Sequence, residues 1–191
     1  RRVLFRSSRG GIKLAHGLQH FALSAQDKVC LDVGSSTGGF TDVLLQSGAA
    51  KVYAVDVGKG QLAWKLRQDP RVVVLEGVNA RHLSVEHIAE PVDLVVCDAS
   101  FIGLEVVLPA ALGFAKRGAE LIALIKPQFE VGPERVGKGG VVRDETLHAE
   151  VVARIVAWLG QLGWTVLGTE PSPILGPAGR SEEHTSELQS H

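Results

Sequence analysis

Five short apolar runs recur along the chain, each separated from the next by enough residues for a helix. They are Lys28–Val33 (KVCLDV), Lys51–Val57 (KVYAVDV), Arg71–Leu75 (RVVVL), Val92–Cys97 (VDLVVC) and Glu120–Ile125 (ELIALI). A strand with one wet face alternates apolar and polar residues, and these runs do not alternate. They therefore predict strands covered on both faces, the mark of a parallel sheet. Residues 39–47, 60–68, 83–88, 104–116 and 144–162 read as the intervening helices. In the last of these, Leu147, Val151, Val152, Ile155, Val156 and Leu159 fall on one face, with Asp144 placed to cap the start. Such alternation predicts an α/β fold: a doubly wound, Rossmann-like, mostly parallel sheet with right-handed crossovers. Trp164–Thr169 (WTVLGT) reads as a sixth strand, and the Pro/Gly-rich turn 171–179 points towards a seventh.

That seventh strand is expected to be missing, because both ends of the chain look foreign. One DNA string, read on opposite strands, encodes both Arg1–Ser7 (RRVLFRS) and Arg180–Ser186 (RSEEHTS). The expectation is that residues 1–7 and 180–191 are translated sequencing adapter, and that 8–179 is a single truncated domain. The formal net charge of −1 stays near neutrality when the charged residues of both ends are set aside, so charge alone does not call for nucleic acid. No apolar run is long enough to span a bilayer. Cys30 and Cys97, the two cysteines, lie inside apolar runs, which fits buried thiols in a cytoplasmic protein better than a disulfide.

The first strand runs into Asp32-Val33-Gly34-Ser35-Ser36-Thr37-Gly38-Gly39-Phe40. Glycines between a strand and a helix let backbone pass close beneath a ligand, and the helix then offers its free N–H groups. Taken alone, the turn also has a plain reading as a tight connection. The second strand carries Asp56, a carboxylate suited to both hydroxyls of a ribose, and Asn79 follows the third strand, where it can meet an adenine edge. Together these describe a nucleoside-cofactor pocket without separating a methyl donor from a nicotinamide. Gly132–Lys138 has the G-x-x-x-x-G-K spacing of a phosphate loop. Gly139 stands where Ser or Thr would be needed, however, and no strand leads into it.

Seven segments carry a resemblance: 8–14 (SRGGIKL), 31–45 (LDVGSSTGGFTDVLL), 52–72, 98–102 (DASFI), 125–132 (IKPQFEVG), 136–144 (VGKGGVVRD) and 172–179 (SPILGPAG). They resemble the TlyA family of bacterial ribosomal RNA 2′-O-methyltransferases, also labelled hemolysin A-like, with an FtsJ-type catalytic domain. The resemblance implies a methyltransferase sheet, S-adenosyl-L-methionine as cofactor, ribosomal RNA or a ribosomal subunit as partner, and an N-terminal S4 RNA-binding domain that would end before Ser8. It places a catalytic Lys-Asp-Lys set on Lys13, Asp98 and Lys126. The family's fourth member, a glutamate, would fall on Glu182, inside the presumed adapter. The donor pocket maps to Asp32, Gly34, Ser35, Gly38, Gly39, Phe40, Asp56 and Asn79.

The residues suit that chemistry. Asp98 and Lys126 directly follow the fourth and fifth strands, on the edge where the glycine turn lies. A sulfonium methyl is already activated, so transfer to a ribose hydroxyl needs in-line alignment and the removal of one proton. A lysine whose pKa is lowered by burial or by a neighbour such as Lys13 can take that proton, with Asp98 orienting the pair. Each residue also has a plain reading, as a surface lysine, a strand-end cap or a strand exit. No metal is expected: His16 and His20 are four apart, with no third ligand evident. Arg135, Lys138 and Arg143, in the glycine-rich loop 127–143, are either phosphate contacts or a solvated surface. Trp64, Trp158 and Trp164 read as packing residues. The competing functions are methyl transfer to another substrate and, from the hemolysin label alone, membrane lysis.

Overall fold

The structure, a computed structural model, describes residues 8–174 and the backbone of 184–190. Chain order runs α1 (Arg9–His20), β1 (Val29–Val33), α2 (Gly39–Gln46), β2 (Lys51–Asp56), α3 (Trp64–Arg67), β3 (Val72–Glu76), β4 (Val92–Cys97), α4 (Leu104–Val107) and α5 (Pro109–Leu112). It continues with β5 (Ala115–Ile125), α6 (Pro127–Glu130), α7 (Glu145–Gln161), β6 (Trp164–Pro171) and β7 (His184–Ser190). The sheet order is β3-β2-β1-β4-β5-β7-β6. The five strands from β3 to β5 are mutually parallel, as their unbroken apolar runs require, and β7 is antiparallel to both its neighbours.

The order reverses between β1 and β4. Successive connections leave the sheet centre in opposite directions there, and a crevice opens above the carboxyl ends of both strands. Two apolar layers hold the frame. One packs Leu14, Leu18, Phe40, Val43 and Leu44 of α1 and α2 on one face of the sheet. The other packs Leu104, Leu108, Val151, Ile155 and Leu159 on the opposite face. Each fully buried Leu or Ile contributes roughly 1.5–3 kcal/mol. Cys30 and Cys97 are free, buried thiols, and burial pushes both up to about 12.

Several expectations need correction. The sheet does not stop at six strands. His184–Ser190 fills the slot between β5 and β6, in register from Glu120↔Gln189 to Ile125↔His184 and from Trp164↔Ser190 to Pro171↔His184. HTSELQS carries no apolar run, so a pattern search passes over it, while two facing strand edges pair with any extended backbone. The expected helix 104–116 breaks into α4 and α5, with Pro109 opening the second, and its end becomes the start of β5. Residues 83–88 form no helix, although a 3₁₀ turn precedes them at Ala80–His82. Trp64 does not pack: it is 71% exposed, because one-turn α3 commits Leu66, with Leu62 before it, to the core. Helix α1 was not foreseen. Ser8 caps it by accepting from the Gly11 amide at 3.3 Å. Asp144 caps α7 as expected, accepting from Thr146 and Leu147. Finally, His16 and His20 do have a third ligand-type neighbour, Glu170 of β6.

Candidate active site

The turn after β1 is shaped by contact with the turn after β4. Gly34 has φ +83°, and a Cβ there would stand 2.9 Å from the Ala99 Cα, closer than any real side chain sits. The Asp98 amide donates to the Val33 carbonyl at 3.1 Å, so the two strand ends are laced together. Two clefts meet at this seam. One, of about 590 Å³, runs over Asp56, Gly58, Asn79 and Phe101. The other, of about 460 Å³, lies under the start of α1 against Ser8, Gly10, Thr37 and Phe40. Gly34, Ser36, Asp98 and Ser100 line both.

In the larger cleft, the Asp56 carboxylate accepts from the Ser36 amide at 2.8 Å and the Gly58 amide at 2.7 Å. These bonds tie the first turn to the second and hold the carboxylate at the cleft wall. Asn79 uses its side-chain oxygen to accept from the Arg81 amide, leaving its amide group beside the cleft. Phe101, a residue not singled out from sequence, has φ +66°, is 90% exposed and leans on Phe129 at 5.1 Å. Left-handed backbone is uncommon for so bulky a residue.

Beneath the turn lies Asp32, fully buried. Its Oδ2 accepts from the Thr41 hydroxyl at 2.7 Å, while Oδ1 has no partner. Burial pushes this carboxyl up to about 7; the Thr41 bond opposes the rise, and nearby Asp98 and Asp56 add to it. Asp56 and Asn79, lining the larger cleft, fit the ribose and base of a nucleoside, and Gly34 lets backbone pass close to it. An adenosyl-sulfonium donor contains such a nucleoside.

At the rim shared by the clefts, buried Lys126 points its ammonium at three oxygens. It is 2.6 Å from Asp98 Oδ1, 3.0 Å from the Ser100 hydroxyl and 3.4 Å from the Asp98 carbonyl. Helix α1 approaches the same carboxylate: a Cβ at Gly10 would sit 3.5 Å from Asp98 Oδ2, and one at Gly39 would strike Ser8 Oγ at 2.3 Å. Lys13, also buried, is three residues beyond Gly10 and so shares its helix face. Asp98 and Lys126 thus meet at the ends of β4 and β5, and the start of α1 approaches them at Gly10. Gly34, Ser35, Gly39 and Phe40 line the second cleft. Gly38, the residue before α2, has φ +100°, and a Cβ there would strike Leu66 and Leu62. Glu182 lies outside the described residues.

The loop 127–143 is less free than its glycines suggested. Glu130 is buried, accepts from the Leu104 amide at 2.9 Å and pairs with Arg154 of α7 at 3.1 Å. Its phosphate-loop spacing gives no phosphate cradle: α6 precedes Gly132, a 3₁₀ turn (Pro133–Arg135) follows, and Gly137 bridges to Val141. Arg135 pairs with Glu150 at 3.0 Å, and Lys138 and Arg143 flank it around a shallow depression.

The profile of the FtsJ-like methyltransferase family matches residues 6–185. The chain belongs to that family. Among its relatives, the 16S/23S rRNA (cytidine-2′-O)-methyltransferase TlyA of Mycobacterium tuberculosis is 55% identical over 92% of this chain, which spans 65% of that protein's length. Hemolysin A of Brachyspira hyodysenteriae is 40% identical over 92% of the chain and 73% of its own. Among solved structures, a "putative hemolysin" from Lactococcus lactis superposes with a TM-score of 0.93 at 45% identity, over 98% of this chain and 90% of that one. Among the described residues no helix is long and apolar enough to cross a membrane.

Proposed function

We propose that this FtsJ-like chain transfers the methyl group of S-adenosyl-L-methionine to a ribose 2′-hydroxyl of ribosomal RNA, cytidine being the target nucleoside. One observation carries the reading: two clefts, one fitted to a nucleoside and one open beneath α1, share a rim at Asp98, where buried Lys126 is anchored. When bound, the donor supplies an activated methyl carbon. Asp56 and Asn79 would hold its ribose and adenine, Gly34 would let the first turn approach it closely, and Asp32 would brace that turn from below through Thr41. The acceptor ribose enters by the second cleft. At the shared rim the Asp98 carboxylate, held by the Lys126 ammonium, would accept the proton of the 2′-hydroxyl as the methyl passes from the donor's sulfur to that oxygen. Most of the acceleration comes from alignment, because well-oriented reacting groups gain up to roughly 7–11 kcal/mol over free encounter. Lys13, on the face of α1 that meets Asp98, orients this cluster. Arg135, Lys138 and Arg143 contact RNA phosphates, a sequence-independent and salt-sensitive attachment.

The names of the relatives set methylation against lysis, and one preparation tests both. The chain is incubated with labelled donor and unmodified ribosomal RNA, and separately with red cells. Label recovered as 2′-O-methylcytidine supports the reading. Lysis without methyl transfer, or methyl groups found only on bases, overturns it.

A further inference from the structure

At the far end of α1 from the clefts, His16 and His20 face one carboxylate. They lie one helical turn apart, so their rings stack with centroids 5.7 Å apart on one side of the helix. Glu170 Oε1 is 3.8 Å from His16 Nε2, and Glu170 Oε2 is 3.4 Å from His20 Nε2. One ligand atom from each of the three residues can be chosen so that all lie within 4.8 Å of one another.

The backbone builds this meeting. Strand β6 begins with Trp164 and Val166 packed on the α7 side of the sheet. Strict alternation would send Gly168 and Glu170 the same way. The register against β7 shifts between Val166 and Gly168, and a bulge of this kind turns every later side chain to the other face. Gly168 accordingly meets Phe21 at the end of α1, and Glu170 meets the two histidines. The His16 Nε2 is buried there and makes no hydrogen bond.

We propose that His16, His20 and Glu170 form a zinc-class divalent metal site that fastens α1 to β6. Two imidazole nitrogens and one carboxylate oxygen are a borderline donor set that selects zinc-like ions over magnesium or calcium, which take oxygen ligands. Ligand atoms about 2.0–2.1 Å from a tetrahedral zinc lie roughly 3.3 Å apart, so three ligand atoms within 4.8 Å of one another would draw together on binding. All three side chains are about one-third to two-fifths exposed, which leaves an entry path and room for water as the fourth ligand. Because α1 also carries Lys13, metal binding steadies the helix that enters the candidate active site.

The test uses the chelator-treated full chain titrated with Zn²⁺ alone, with a competing chromophoric chelator to read stoichiometry and affinity. One zinc per chain is expected, with a rise in Tm on binding. His16→Ala, His20→Ala and Glu170→Gln should each weaken binding by at least roughly tenfold, the lower bound seen when even supporting groups around a metal are removed. Zinc-edge X-ray absorption on the unaltered protein needs no variant to fold, and should show two imidazole ligands. No stoichiometric binding, binding unchanged in folded variants, or a spectrum without imidazole nitrogen overturns the proposal.

Discussion

Lys126 Nζ lies 2.6 Å from Asp98 Oδ1, an ion pair linking the ends of adjacent strands β5 and β4 at the junction of two clefts. The lysine side chain is 8% exposed and the aspartate 21%, so neither charge is tolerable there without the other. If the pair handles the hydroxyl proton as a unit, removing either half costs as much as removing both. Lys126→Ala should lower kcat by about 10²–10⁴-fold, the usual range for a lost acid–base group. Donor affinity, measured by calorimetry, should change by only a few-fold. Lys126→Ala/Asp98→Ala should be no slower than either single variant. Additive losses in the double variant would show that the two residues act separately.

Asp32 makes stability depend on pH in a direction opposite to that of most carboxylates. Burial pushes its pKa up to about 7 in the fold, from an ordinary value of 3.8. Below pH 4 it is protonated in both states and contributes nothing. Between about 4 and 7 the unfolded chain ionises it while the fold keeps the proton, so stability falls as pH rises and then levels off. The penalty is on the order of 4 kcal/mol. Asp32→Asn, which keeps an oxygen for the Thr41 hydroxyl, should therefore gain stability relative to the unaltered chain between pH 4.5 and 7.5. Paired urea midpoints read this directly, and a difference that does not grow with pH would mean that Asp32 is not held protonated.

How far the sequence reaches can be judged residue by residue. Asp32, Asp56, Asp98 and Lys126 were legible because each sits at or just beyond the end of an apolar run, and a parallel sheet gathers such ends on one edge. Thr41, Ser100 and Glu130 were not. Their partners Asp32, Lys126 and Arg154 lie 9, 26 and 24 residues away, and no periodicity links them. Glu170 was hidden for another reason: the bulge that turns it towards α1 exists only once β6 has paired. Strand β7 escaped because its polar residues do not mark a strand until two open edges flank them.

Gly34 tests the seam between the strand ends. Its φ of +83° disfavours any side chain, and the obstruction is the Ala99 backbone, which cannot swing aside as a side chain could. Gly34→Ala should cost about 1–3 kcal/mol, read as a fall in Tm of about 2–4 °C for each kcal/mol. Donor affinity should fall along with stability, since the same displacement moves Asp98 and Ser36 at the cleft rim. A stable variant with unchanged donor binding would show that the turn tolerates a side chain and that its closeness to β4 is incidental.

Glu130 anchors the long loop, and its charge balance is open to test. Burial raises its pKa, and the Leu104 amide and Arg154 pull it back down. Arg154 also donates to the Glu130 carbonyl at 2.8 Å, so it clamps both the side chain and the backbone of the loop. Arg154→Ala leaves a carboxyl that must either ionise without its cation or take up a proton. At neutral pH the loss should be about 1–3 kcal/mol, the range for a buried group left unsatisfied. Because burial already raises the pKa and the variant lacks the opposing cation, the loss should shrink as pH is lowered, towards that of the carbonyl bond alone. The comparison is Arg154→Ala against the unaltered chain by urea denaturation at pH 5 and 7.5. An equal loss at both values would assign the arginine to packing and the backbone bond, with no part for the carboxylate.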